Sequence, residues 1–154
     1  MAEVVFYLLE QDSIDDQPAP FALACQLAAR SFRDKQACLV LCKDQAQAEA
    51  FDELLWQRPA EAFIPHNLTG EGPPKGTPVE VSWIGASPGP GKPVLINLAD
   101  ELPQNHQRFR KIFDFVPAAE QPKQQARERY KQYRGAGHQL DTRPATSLNE
   151  KSDG

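Results

Sequence analysis

The stretch "EVVFYLLEQDSIDDQPAPFALACQLAARSFRDKQACLVLC", residues 3–42, places a helical pattern between two short apolar runs. The runs at 3–9 and 37–42 are rich in β-branched and aromatic residues, which indicates buried strands. Between them, apolar residues recur at the spacing of a helix, namely Phe21, Ala24, Cys25, Ala28 and Phe32. This order of strand, helix and strand predicts a parallel sheet with helices packed against it.

The alternation of strands and helices continues along the chain. A candidate capping box at Asp44 and Gln47 precedes a second helical stripe, and a final helix is predicted from Glu120 to Arg134. Further strands are predicted at 78–84, 93–98 and 111–116. The sequence therefore predicts an α/β fold, a three-layer α/β/α sandwich whose largely parallel sheet has about five strands.

Length and composition favour one soluble domain. The predicted domain covers residues 1–137, and residues 138–154 have few apolar side chains and no period, which predicts a mobile C-terminal tail. No apolar run is long enough to span a membrane, and the N-terminus lacks the basic region of a signal peptide. The three cysteines form no disulfide framework, which favours a reducing cytoplasm. The three histidines are scattered, so no metal site is predicted.

The Gly/Pro-rich run from Gly85 to Lys92 resembles a phosphate-binding loop only superficially. Such a loop needs G-x-x-x-x-G-K-[ST] between a strand and a helix. Here five residues separate Gly85 from Gly91, and Pro93 stands where the metal-binding hydroxyl belongs. The run also leads into a predicted strand. It is therefore predicted to be a plain loop, and neither a nucleotide, another cofactor nor a set of catalytic residues is expected.

Positive charge concentrates in "KQQARERYKQYR", residues 123–134, which holds five cations and one acid in a chain of net charge -4. On a helix, one face would carry Lys123, Arg127, Tyr130, Lys131 and Arg134. Three interpretations remain open for this basic stripe. The first is a solvated helix face, the second is a site for a short acidic peptide with an apolar or carboxylate end, and the third is a nucleic-acid-binding surface.

The stretch "LWQRPAEAFIPHNLTGEGPP", residues 55–74, places Trp56, Phe63 and Ile64 among prolines and glycines without a clean period. Two interpretations are open here. In the first, the segment is a loop that buries its aromatic side chains in the core. In the second, it is a protruding surface that binds a partner.

Five segments together resemble a known family. In this order and at these separations, "FYLLE", "LWQRPAEAFIPHNLTGEGP", "PVEVSW", "DFVP" and "ARERYKQYR" are similar to the chi subunit of the bacterial DNA polymerase III holoenzyme. The resemblance covers about residues 3–138, and the long block at 55–73 makes it specific. The run "SPGPGKP" and the residues after His138 match no pattern of that family.

The resemblance implies a nucleotide-binding-like fold that lacks a working phosphate loop, and a non-catalytic adaptor role in DNA replication. It implies two protein partners, the psi subunit of the clamp loader and the acidic C-terminal tail of single-stranded DNA-binding protein (SSB). Nucleic acid would then be reached only through SSB, and a helicase is a candidate competitor of psi. The alternative from the residues alone is a direct single-stranded nucleic-acid-binding module that uses the helix at 123–134.

The resemblance also implies site residues. The SSB tail would be bound by Lys123, Arg127, Tyr130 and Lys131, with Val116 and Gly137 as pocket walls. The psi surface would include Phe63, Ile64, Pro65 and His66.

Overall fold

The computed structural model of the chain describes residues 2–14, 16–57, 64–73 and 76–148. Within those ranges it contains nine strands, three α-helices and one 3-10 turn. In chain order they are β1 (Glu3–Leu8), β2 (Ser13–Ile14), β3 (Gln17–Pro18), α1 (Ala19–Arg33), β4 (Cys38–Cys42), α2 (Gln45–Gln57), β5 (His66–Leu68), β6 (Val79–Trp83), β7 (Val94–Asn97), η1 (His106–Arg108), β8 (Lys111–Val116), α3 (Glu120–Gly135) and β9 (Gln139–Pro144).

Seven strands form one parallel sheet in the order β5-β6-β4-β7-β8-β1-β9. Strands β2 and β3 form a separate antiparallel pair. The crossovers through α1 and α2 move the chain toward the β5 edge of the sheet. The crossover through α3, from β8 to β9, moves it toward the opposite edge. Because parallel crossovers are right-handed, this reversal places α3 on the opposite face from α1 and α2. The predicted α/β sandwich is confirmed, and its sheet has seven strands where about five were expected.

Both faces of the sheet are buried, which explains the uninterrupted apolar runs in the sequence. In β1, Val5 and Tyr7 point into the cluster under α1 and α2, whereas Val4 and Phe6 point into the cluster under α3. All four side chains are at most 1% exposed. The interior position of β1, between β8 and β9, therefore requires apolar side chains at consecutive positions.

The prediction of a mobile tail from residue 138 is wrong for most of that segment. Residues 139–144 form β9, which pairs in parallel with β1 from Glu3↔Gln139 to Leu8↔Pro144. Leu148 beyond it is 1% exposed and packs in the core. An edge strand bonds a neighbour on one side only and exposes much of its surface, so its sequence need not be apolar. Residues 149–154 lie outside the described residues.

The Gly/Pro-rich segment at 84–93 is a crossover between β6 and β7 that contains no helix. It is held by the carboxylate of Glu80, which is 6% exposed. The Gly89 N–H donates to both Glu80 oxygens at 3.2 Å, and Lys92 Nζ lies 3.5 Å from Oε1. The segment leads into β7 as predicted, so its glycines and prolines serve a crossover path across the sheet.

Three further findings concern the described residues. No described helix is long and apolar enough to cross a membrane. No group of three or more His, Cys, Asp or Glu side chains among the described residues is arranged to hold a metal ion. The three cysteines are buried and form no disulfide bond with one another, and burial raises the pKa of Cys38 and of Cys42 to about 12.

Candidate functional site

The basic stripe predicted at 123–134 lies on the outer side of α3. Lys123 and Tyr130 are half-buried, whereas Arg127, Lys131 and Arg134 are exposed. Among the residues that the structure describes, no carboxylate forms an ion pair with any of these four cations. Their charges are therefore available to a ligand.

Arg129 belongs to the same segment but not to the stripe. It is 6% exposed and lies on the inner side of α3 with Ala126 and Tyr133. Its charge is neutralised by Asp114 of β8. The charge count from sequence therefore included one cation that no ligand can reach, and the outer side of the segment carries four cations.

Asp114 is the centre of a buried hydrogen-bond network. Arg129 donates to it twice, from Nε to Oδ2 and from Nη2 to Oδ1, both at 3.0 Å. Asn97 Nδ2 and the Tyr133 hydroxyl also donate to Oδ2, at 3.1 and 3.3 Å. Burial alone would lower the pKa of Arg129, but the adjacent Asp114 carboxylate raises it overall, and burial raises the pKa of Tyr133. The bidentate pair fixes the rotation of α3 about its axis, so the stripe faces outward.

Apolar surface adjoins the stripe at Tyr130. The Tyr130 ring lies 5.4 Å from the Phe6 ring, and Val116 and Leu140 pack as half-buried side chains on the same cluster. Leu140 was missed by the sequence analysis because residues after 137 were assigned to a tail. Its signal was a single apolar residue in a polar segment, too weak to reveal a strand.

The two predicted pocket walls lie at opposite ends of α3. Val116 is the last residue of β8 and precedes the helix, whereas Gly137 follows its end with φ +91. A helix of 16 residues is about 24 Å long. Val116 and Gly137 therefore border different parts of the stripe, and Tyr130 lies between them along the helix.

The predicted partner surface at 63–66 is mostly interior where it is described. Phe63 lies outside the described residues. Ile64 is 2% exposed in the core, Pro65 is half-buried, and His66 is 7% exposed. The His66 Nδ1–H donates to the Ile64 carbonyl at 2.8 Å, and Nε2 lies 3.3 Å from Asp52 Oδ1.

One large side chain covers this buried histidine. The Trp56 ring lies 4.4 Å from the His66 ring and is 53% exposed. Burial raises the pKa of Asp52 and nearby His66 opposes that shift. The structure thus places an exposed aromatic surface above a hydrogen-bonded support, and Ile64 and His66 belong to the support.

Comparison with known proteins decides the family. The family model described as "DNA polymerase III chi subunit, HolC" matches residues 1–141. The DNA polymerase III subunit chi of Escherichia coli (strain K12) is 43% identical over 143 residues, which cover 92% of this chain and 97% of that protein. The chain belongs to the chi family of DNA polymerase III subunits.

Two further chi proteins agree with this assignment. The one from Haemophilus influenzae is 46% identical over 120 residues, covering 78% of this chain and 83% of the relative. The one from Pseudomonas aeruginosa is 33% identical over 140 residues, covering 91% and 94%. The chi family match ends within β9, so it includes all of α3 and part of the strand that the sequence analysis missed.

Proposed function

We propose that this chain is a non-catalytic accessory subunit of the replicative DNA polymerase III holoenzyme in the bacterial cytoplasm. It bridges the clamp loader, through the psi subunit, to the C-terminal tail of SSB. Membership of the chi family supports a role within the polymerase complex. The outward-facing basic stripe beside an apolar flank is the observation that carries the bridging role.

The stripe suits a short acidic tail that ends in an apolar residue with a free carboxylate. Arg127, Lys131 and Lys123 supply charge-assisted hydrogen bonds to carboxylates. Tyr130, held against Phe6, supplies an aromatic surface for the apolar end. Many SSB molecules coat one strand, so weak single contacts would still retain the clamp loader through a high effective concentration.

Fluorescence anisotropy with a labelled SSB C-terminal peptide tests this site. The peptide should bind, and binding should weaken when its C-terminal carboxylate is amidated, when salt is added, and in Lys131→Ala. The matched control is Lys43→Ala, which removes an equally exposed cation in the loop before α2. Equal binding of the amidated peptide, or an equal loss in Lys43→Ala, would reject the carboxylate-reading site.

The psi subunit would bind the separate surface at 63–66. In this proposal Phe63 and Pro65 contact psi, while the buried Ile64 and His66 support Pro65 between them. The support is the buried position of Ile64 and the hydrogen bonds of His66 to Ile64 and Asp52. A helicase that uses the same surface would compete with psi.

Size-exclusion chromatography with psi tests this second surface. Phe63→Ala should lose the complex with psi and keep the affinity for the SSB peptide, while Lys131→Ala should do the reverse. Circular dichroism confirms that both variants fold. If Phe63→Ala retains psi at wild-type affinity, the surface is wrongly placed even if the tail site is correct.

A further inference from the structure

A second basic region lies at the edge where the parallel strands begin. Two grooves of about 860 and 580 Å³ meet there and share Gln36, Pro93 and Arg110. The larger groove runs beside the C-terminal part of α1 and the first residues of β1, β7 and β8. The smaller one continues under the crossover at 84–93. The two adjoining grooves are here named together the amino-edge groove.

The amino-edge groove is strongly cationic. Eight of the 17 lysines and arginines of the chain line it, against two carboxylates, Glu3 and Asp34. Three of the eight cations are paired: Lys111 with Glu3, Arg143 with Asp141, and Lys92 with Glu80. The other five form no ion pair with any described residue, and they are Arg30, Arg33, Lys35, Arg108 and Arg110.

These five cations converge from distant parts of the sequence. Arg30 and Arg33 come from the last turn of α1, and Lys35 from the turn after it. Arg108 ends η1, and Arg110 precedes β8. Arg33, Lys35, Arg108 and Arg110 are exposed. The strands of the sheet are parallel, so β4 and β8 begin at the same end of the sheet. The two segments that precede these strands therefore lie close together.

The floor of the larger groove offers little apolar contact. Leu27 and Tyr7 are 1% exposed, and Val94 and Phe113 are 6% and 7% exposed. An acidic peptide binds tightly when an apolar side chain fills a pocket beside the charges, and here those side chains are covered. A phosphodiester backbone needs only cations and polar groups, and it does not need a pocket for its bases. The chemistry of the groove therefore fits nucleic-acid phosphates better than a peptide.

We propose that the amino-edge groove binds the phosphate backbone of single-stranded DNA without reading its sequence. A positively charged groove that follows a single strand is the common device of such proteins. Among the described residues that line the groove, Phe109 is the one half-buried aromatic ring, so the contact is mainly electrostatic. The groove is separate from the stripe on α3 and adds direct contact with DNA to the proposed link through SSB. The inference does not depend on the SSB-tail site.

The test is fluorescence anisotropy with the full chain and a labelled single-stranded oligothymidylate of about 15 nucleotides, the upper range for one small domain. If about five phosphates are contacted, the slope of log affinity against log salt should be about −3.5, so raising salt from about 50 to about 200 mM weakens binding about 100-fold. The double variant Arg33→Ala/Arg110→Ala removes two exposed cations. Its slope should become shallower by about 1.4.

The matched control is Arg127→Ala/Lys131→Ala, which removes the same charge from α3. It should keep wild-type affinity for the oligonucleotide, and both variants should keep the wild-type unfolding midpoint. Three results would overturn the proposal: no binding by the wild type at about 50 mM salt, a loss confined to the α3 variant, or equally strong binding of a poly-glutamate peptide. Tighter binding of a duplex of the same length would overturn the assignment to single strands.

Discussion

The basic stripe on α3 and the amino-edge groove both present unpaired cations, but they differ in what lies beside the charge. Tyr130 and Leu140 are half-buried at the stripe, so a ligand can reach apolar surface there. In the groove, Tyr7 and Phe113 are almost fully covered, and Phe109 alone among the described aromatic residues there is half-buried. Charge attracts any anion, while accessible apolar surface selects a ligand with an apolar end. A cluster of unpaired cations therefore suits a peptide tail in one region and a phosphate backbone in the other.

The largest expected effect comes from Asp114→Asn, which leaves the Arg129 charge buried without its partner. Removing one member of a buried pair costs about 3–5 kcal/mol of the free energy of unfolding. The stripe on α3 should lose affinity for the SSB peptide at temperatures where the oligonucleotide still binds the groove. Urea unfolding and the two anisotropy assays measure these effects.

The control for that substitution is Asp141→Asn in the exposed pair with Arg143, where a change of at most about 1 kcal/mol is expected. Equal destabilisation by the two substitutions would show that α3 is not fixed by the Asp114 network.

The second prediction separates the two regions by their apolar surface. Tyr130→Ala should weaken SSB-peptide binding by about 2 kcal/mol, as loss of an aromatic anchor does. The affinity for the oligonucleotide should stay unchanged, because no cation is removed. Parallel titrations with the two labelled ligands measure both. A loss of oligonucleotide affinity would mean that DNA binds on α3 and that the two regions do not differ in ligand as proposed.

Glu80→Gln tests whether the positive charge of Lys92 contributes to oligonucleotide binding in the groove. Lys92 loses its carboxylate partner, so the groove gains one net positive charge and oligonucleotide affinity should rise a few-fold. Glutamine still accepts a hydrogen bond from the Gly89 N–H, but the Lys92 side chain is only 9% exposed and loses its charge partner, so the free energy of unfolding should fall by about 3 kcal/mol. Affinity for the SSB peptide serves as the internal control. Unchanged oligonucleotide affinity would show that Lys92 does not contribute to the groove.

The smallest effect concerns the contact that joins the two regions. The Ala2 N–H donates to His138 Nδ1 at 2.9 Å, so His138 carries its proton on Nε2 and donates to His106 Nδ1 at 2.7 Å. Burial lowers the pKa of His106. Burial, His106 and the N-terminal charge lower the pKa of His138. The neutral pair belongs to the end of α3 and to η1, next to Arg108 of the groove.

A lowered pKa in the folded state means that the unfolded chain binds more protons under mildly acidic conditions. The neutral histidine pair stabilises the folded state fully above the ordinary histidine pKa of about 6.5. This stabilisation is lost as the pH falls through the lowered pKa values. Unfolding midpoints should therefore drop between about pH 7.5 and pH 5, and the drop should be smaller in His106→Gln/His138→Gln. An equal drop in that variant would assign the acid sensitivity to other groups.

The sequence revealed the central strands because each is buried on both faces. Strand β1 supplies Val4, Val5, Phe6 and Tyr7 to two apolar clusters, so its sequence is a continuous apolar run. Strand β9 lies at the edge of the sheet, and its "QLDTRP" carries no such run. Edge strands are specified by backbone pairing more than by side-chain burial, so composition alone misassigned this strand to a tail.

The part of the candidate site that lies within one segment of the sequence was predictable. The stripe on α3 follows from helical spacing within one segment. Arg129 was miscounted although it shares helical phase with Ala126 and Tyr133, a pattern that marks the inner side. The amino-edge groove could not be found in this way, because its unpaired cations come from α1, from η1 and from the residues just after them, and they meet only through the order of the strands.

The position of β1 also determines when this molecule can complete its fold. β1 is the first strand to be synthesised, yet Glu3 pairs with Lys111 on one side and with Gln139 on the other. At about 5–20 residues per second, a ribosome needs on the order of 5–20 s to produce the first of these partners. During that time this largely apolar strand has neither neighbour. Such distant pairing slows folding and favours aggregation of the nascent chain, so early protection of residues 3–9 becomes a requirement for efficient production of the protein.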